Sequence, residues 1–358
     1  MTSTSSRDHP GLTILADLLS VPSPSGREER MAERIRAHLT RLGYTPETDA
    51  AGNVLVRLPG RMADAPLCIF AAHMDEIGMV ITRIHPDGSL AVDRSGGLMP
   101  WKLGEGPVTI VGDRDEAEPV TGVLSFGSTH TAGDGADSHL TWADARILTG
   151  LTPAQLAEAR VRVGSTAVPP VDRRGPIVFG DPADPLVAAW TFDDRLGCVA
   201  QLLLLERLAA EGIQPHHPTI VAFTIHEEGG GQGAKVLAQR ERPETFISVD
   251  GSPIPPGADL ALDGRPAMWS KDRLTHYDQR LLRVFQRAAA DAGTQIQTAV
   301  YDSAASDASL LYYAGGAYRI ACFGHVRENS HGFEVIRLSV LDNVVDTLVS
   351  FVRLWRGE

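Results

Sequence analysis

The sequence predicts an α/β protein in two parts: a mostly parallel sheet covered by helices on both faces, and a small β-rich domain inserted into it. Three observations predict this. Apolar runs of strand length alternate with helical patterns at both ends of the chain, the signature of a parallel sheet buried between helices. Residues 76–175 instead carry short alternating runs punctuated by Pro-Asp-Gly and Gly-rich turns. The length, 358 residues, suits about two domains. The expected division is therefore one discontinuous α/β domain, residues 1–75 and 176–358, interrupted by an insertion at 76–175.

Taken in order, Ser25-Gly26-Arg27-Glu28 has the form of a capping box ahead of a helix. Met31, Ile35 and Leu39 mark that helix's apolar face, and Gly43 closes it. Residues 53–58 and 67–72 read as strands. In the insertion, 79–84, 90–92, 108–111 and 120–124 are short strands, and the polar segment 129–139 is a loop suited to an entrance or an interface. After it come a long helix (196–210), a buried strand (219–225), a helix near 234–239 and a strand at 245–249. A helix at 277–292, a strand near 318–323 and a last helix at about 340–355 complete the pattern.

Composition excludes several functions. Lys and Arg number 33 against 45 Asp and Glu, a net charge of −12, whereas a nucleic-acid binder needs a basic face to displace phosphate counterions. The same balance argues against an anionic membrane surface, and no apolar run reaches the ~18 residues of a membrane helix. The polar N-terminus does not read as a secretory signal. Cys68, Cys198 and Cys322 lie among apolar neighbours and read as reduced core thiols, so a cytoplasmic location is expected.

Four segments place acids or histidines just beyond predicted strands: His73-Met74-Asp75, Glu227-Glu228, Asp250, and the loop holding His331. Sites in open α/β sheets form outside the carboxyl ends of the strands, so these segments converge. Asp193-Asp194-Arg195 opens the long helix. Singly, each has a plain alternative, a helix cap for Asp193-Asp194 and a turn for Asp250-Gly251-Ser252-Pro253. Together they form a complete set for two divalent cations. Asp193 bridges, His73 and Asp250 complete one sphere, and Glu228 and His331 complete the other. Glu227 is left beside the shared water, where a general base belongs. Asp75, two residues from His73, is placed to accept the other ring N–H and hold the tautomer.

The stretches AAHMDEIGMVIT (71–82), WTFDDRLGC (190–198), HEEGGGQGAK (226–235), VDGSP (249–253) and SHGFEV (330–335) resemble the dinuclear metallo-aminopeptidases of the glutamyl, leucyl and lysyl type, the tetrahedral-particle peptidases of clan MH. The resemblance runs from about residue 11 to the C-terminus. It implies a phosphorylase/hydrolase-like three-layer catalytic domain, with the insertion serving assembly and access to the active site. It implies an aminopeptidase that removes residues from peptides with free N-termini by a two-metal, bridging-hydroxide mechanism. The expected cofactors are two Zn²⁺ or Co²⁺ ions, with Mn²⁺ as a further candidate, and the expected partner is a second copy of the chain, up to a dodecamer. By the same resemblance His73, Asp193, Glu228, Asp250 and His331 are metal ligands, Glu227 the general base and Asp75 the supporting aspartate. Asp193 is chosen over Asp194 because relatives vary the second position to Asn.

Three departures stand out. Gly229-Gly230-Gly231-Gln232-Gly233 replaces the relatives' Val-Gly-x-Arg-Gly, and Ala305-Ser306 replaces Gly-Thr before Asp307. The His331-to-Glu334 spacing is one residue short, which makes His325 a competitor for the last ligand. Two rival functions are carried forward. A dinuclear deacylase of small N-acyl amino acids shares the same ligand logic. A non-catalytic assembly protein would be expected to have lost ligands or the base, and here all are present.

Overall fold

The computed structural model describes residues 9–113, 119–128 and 140–357. The predicted loop at 129–139 lies outside the described residues. The main sheet has eight strands. Its four central strands, Thr219–Thr224, Cys68–His73, Thr245–Val249 and Arg319–Gly324, run parallel and adjacent. Val54–Leu58 and Ala267–Lys271 flank them in antiparallel pairing, and Glu47–Thr48 and Gln297–Val300 form the edges.

Side-chain alternation along these strands divides the core into two layers. Cys68, Phe70 and Ala72 point to one face, under helices Pro10–Leu19, Phe192–Ala210, Gln279–Asp291 and Ser339–Leu354. Ile69 and Ala71 point to the other, under Gln232–Glu241 and Asp307–Tyr313. The helix Phe192–Ala210 is buried on nearly every side, which explains why its sequence shows no amphipathic stripe. The result is the expected three-layer α/β arrangement with a mostly parallel central sheet.

Six further strands, Gly78–Ile84, Leu90–Ser95, Gly106–Val111, Val120–Ser125, Arg146–Leu148 and Thr166–Val168, close into an antiparallel barrel. Closure leaves no unpaired edge, and Met79, Ile81, Val92, Ile110, Leu124 and Ile147 fill the interior.

Two expectations fail locally. The first is the capping box: helix Glu29–Arg41 begins without a side-chain cap. Ser25 Oγ donates instead to Asp75 Oδ2 at 2.6 Å, and Glu28 Oε1 accepts from the backbone of Gly26 and His226. A tertiary partner has displaced the local one. The second is the start of the long helix, which is counted from Phe192, although Asp193 and Asp194 have non-helical dihedral angles.

A buried ionic cluster ties the barrel's root to the sheet. Glu76 precedes the first barrel strand and Arg174 follows the last, and both side chains are fully buried. Glu76 Oε1 accepts from Arg174 at 2.9 Å, Arg195 at 3.4 Å and the Ser23 amide at 2.7 Å. Arg195 also donates to the Met74 carbonyl at 2.5 Å. Removing one member of such a cluster strands the others without counter-charge, at about 3–5 kcal/mol. Glu76→Ala is therefore expected to lower unfolding stability by that amount in urea titration, with an unchanged m-value.

Candidate metal centre

The parallel strands determine where the acids gather. Register aligns Thr224 with His73 and Val249 with Phe323, so the carboxyl ends of all four central strands open on one side. His73 is the last residue of its strand, Asp250 follows Val249 directly, and Glu227-Glu228 stand on the turn beyond Thr224. The loop after Gly324 brings His331, and the start of the long helix brings Asp193.

Each residue of the expected set reaches this one place. Ligand atoms of Asp193, Glu228 and His331 lie within 4.8 Å of one another, as do those of His73, Glu227 and Glu228, and those of His73, Asp194 and Asp250. Asp193 spans the centre: Oδ1 is 3.0 Å from His73 Nε2 and Oδ2 is 3.4 Å from His331 Nε2. His331 Nε2 is also 3.5 Å from Glu228 Oε1. Asp194 faces inward to the backbone, accepting from the His73 amide at 3.2 Å and the Gly197 amide at 3.1 Å. It thus caps the helix. Asp75 Oδ1 lies 3.3 Å from His73 Nδ1, the far side of the ring.

His325 goes elsewhere. It is buried beside Leu196, Ala200, Val249 and Leu341 and joins none of the clusters found among the described residues. Burial, with Arg327 nearby, pushes its pKa down to about 3, so it is a neutral core imidazole.

The electrostatics are those of too many carboxylates in too little water. Burial, reinforced by Asp193, pushes Glu228 up to about 7 and Asp250 up to about 6. Burial raises Glu227 well above the usual carboxylate range, with Glu228, Asp307 and Asp250 adding to it. Burial also opposes charge on His331 and His73, yet the surrounding carboxylates win. His331 rises to about 10, and His73 rises through its bonds to Asp193 and Asp75. Asp193 alone of the central acids is lowered, because Arg327, His331 and His73 together outweigh its burial.

Sequence reasoning missed three contributors. Arg327 donates to Asp193 Oδ2, and its Nε lies 2.9 Å from Glu334 Oε1. Glu334 in turn accepts from the Asp193 amide at 3.0 Å and the His331 amide at 3.3 Å, holding the backbone of both residues from behind. The third is the barrel segment 96–102. A Cβ on Gly97 would overlap the His331 ring, and one on Gly96 would lie 3.1 Å from Glu228 Oε2. The Gly96-Gly97 pair was the available signal, since adjacent glycines permit close backbone approach.

The clusters open on a cavity of about 720 Å³. Pro253, Trp269, Tyr301 and Leu310 supply apolar wall, and Met99, Trp101 and Lys102 close it from the barrel side. Lys102 and Arg273 also line it, and neither forms an ion pair among the described residues.

Residues 52–347 match the M42 glutamyl aminopeptidase family. The chain belongs to that family. It is 27% identical over 328 residues to the glutamyl aminopeptidase of Lactococcus lactis subsp. cremoris (strain MG1363), covering 89% of each chain. The Pyrococcus horikoshii TET1 peptidase, described as assembling into a tetrahedron or a large octahedral shell, superposes with a TM-score of 0.83 at 26% identity, over 96% of this chain and 99% of that one. A TET aminopeptidase from the marine sediment archaeon Thaumarchaeota archaeon SCGC AB-539-E09 shares the fold at TM-score 0.87 and 19% identity, over 97% and 98% of the two chains. Family membership makes this chain a metal-dependent aminopeptidase, a hydrolase of peptide bonds. Among the described residues no helix is long and apolar enough to cross a membrane.

The shifted groups determine a pH dependence. An unfolded carboxyl titrates near 4 and an unfolded histidine near ~6.5. The metal-free folded state therefore holds protons on Glu228, Asp250 and His331 that the unfolded chain has released, and its stability falls as pH rises from about 5 to about 10. Cations held by these groups would compete with those protons and reduce the effect. Melting temperature of the chelator-stripped protein should drop steadily between pH 5.5 and 9, while the gap to the Zn²⁺-loaded protein widens.

Proposed function

We propose that this chain removes N-terminal residues from peptides with two divalent cations held by His73, Asp193, Glu228, Asp250 and His331, and with Glu227 as general base. The observation that carries this reading is the reach of Asp193, whose two oxygens face the two imidazoles, with the Glu227 carboxylate beside His73 and Glu228. Asp/Glu/His donors suit Zn²⁺, Co²⁺ or Mn²⁺. When bound, the cations would polarise the scissile carbonyl and bring the pKa of water toward ~7.

The remaining chemistry belongs to the protein. Glu227 is deprotonated to act as a base, and its burial gives the carboxylate a higher proton affinity than an exposed one, which suits it to take a proton from water. Its carboxylate takes one proton from the attacking water. As the C–N bond breaks, the same oxygen returns that proton to the departing amine, leaving Glu227 ionised for the next turnover. Asp75 keeps His73 turned so that Nε2 faces the site. Residues 76–175 form the inserted domain in this reading, and their segment 96–102 limits access to the cavity. Lys102 and Arg273, which form no ion pair among the described residues, favour a substrate with an acidic first residue, in keeping with the activity named for the Lactococcus relative.

Two experiments test the proposal. In a panel of Glu, Leu and Lys anilides and N-acetyl amino acids, with Co²⁺ or Zn²⁺ and with chelator, the Glu anilide should turn over fastest and the chelator should abolish it. Preferential release of acetate would assign a deacylase instead. Glu227→Gln should keep its metal content while losing about 10²–10⁴-fold in kcat; an unchanged kcat would remove Glu227 from the role. Because the Pyrococcus horikoshii relative assembles into closed shells, light scattering is expected to show a particle of many chains rather than a monomer.

A further inference from the structure

The turn Ser25–Glu28 ends not in a helix cap but against the turn that carries the base. From this we infer that Ser25 and Glu28 are positioning residues: together with Asp75 they grip three consecutive backbone amides, His226, Glu227 and Glu228, and so set where the base and its neighbouring ligand stand. The inference rests on the assignment of Glu227 and Glu228 made above.

The geometry is complete for each amide. Glu28 Oε1 accepts from His226 N at 3.1 Å, and from Gly26 N at 2.9 Å within its own turn. Asp75 Oδ1 accepts from Glu227 N at 2.9 Å, and Oδ2 accepts from Glu228 N at 3.2 Å. Ser25 Oγ donates to that same Oδ2 at 2.6 Å. Glu28 is 5% exposed and Asp75 fully buried, so water does not replace these partners. The two turns are also packed tightly. His226 has a left-handed φ of 56°. A Cβ on Gly26 would lie 3.3 Å from its Nε2 and one on Gly229 would lie 2.8 Å from its Nδ1, so the ring is held between two glycines.

The physical need is clear from where the chain goes. After Thr224 the strand has ended, and the helix Gln232–Glu241 has not begun. Amides 226–228 therefore have no ladder and no helical turn to donate to, and in a half-buried turn an unpaired group is costly. Asp75 has two tasks at once, the His73 ring and the Glu227-Glu228 peptide. Ser25 is what prevents its carboxylate from rotating to serve one at the expense of the other. Groups that orient ligands from behind in this way change metal affinity or activity by about 10–100-fold when removed.

The test uses the full-length protein and Co²⁺ as the probe. Ser25→Ala should weaken Co²⁺ binding by about tenfold in chelator competition, alter the visible absorption of the Co²⁺-loaded protein, and lower kcat about 10–100-fold with little change in KM. Ser25→Thr, which keeps the hydroxyl, should restore all three. Glu28→Ala should lower kcat in the same manner, and Glu28→Gln, which keeps an oxygen acceptor, should recover it. If Ser25→Ala and Glu28→Ala lower only the melting temperature and leave Co²⁺ affinity, spectrum and kcat at wild-type values, the inference is overturned. Should Ser25→Ala fail to fold, Glu28→Ala against Glu28→Gln decides by the same readouts. A wild-type protein that binds no Co²⁺ or cleaves no peptide would instead defeat the functional assignment beneath it.

Discussion

Mutual repulsion among buried carboxylates is the constraint that organises this molecule. Asp193, Glu227, Glu228 and Asp250 crowd together on the wall of one cavity, a setting in which like charges disfavour one another's ionisation. The chain supplies partial compensation through His73, His331 and Arg327, and only Asp193, which touches all three, is lowered below its ordinary range. Glu228 and Asp250 are left near neutrality in their titration. A donor set so under-compensated suits small ions of charge two better than any further side chain.

Holding such groups together needs a backbone that does not yield. Four parallel strands with aligned ends, packed on both faces, provide it: His73, Asp250 and the Glu227-Glu228 pair sit on strand ends or one turn beyond them. Where regular structure stops, specific acceptors take over. Glu334 holds the amides of Asp193 and His331. Asp75 and Glu28 hold the turn at 226–228. The site is thus supported by hydrogen bonds to backbone at nearly every point where a ligand leaves the sheet.

The legible parts of the sequence were those written in local pattern. The central strands and the barrel's alternating runs follow from local apolar pattern, and the expected site residues follow from acids and histidines stacked after strands. The illegible parts were those that depend on distant partners. Ser25 and Glu28 have the spacing of a cap, but Asp75, some fifty residues on, outcompetes the helix start for the hydroxyl. Arg327 and Glu334 look like ordinary surface charges in a mixed segment, and only the fold reveals them buried against Asp193. The short strands Leu186–Trp190 and Phe333–Arg337 pair with each other across about 150 residues, a contact with no local trace.

The ionic cluster at the barrel's root has a consequence for how this architecture can change. Glu76 and Arg174 stand at the two crossings of the chain, and Arg195 lies one residue from the Asp193-Asp194 doublet, all in a single buried network. The barrel is therefore not a pendant module on a hinge but a fixed jaw. Motion that admits or releases a substrate has to come from exposed side chains such as Trp101, 66% exposed on the short helix Pro100–Leu103, rather than from swinging the barrel as a body.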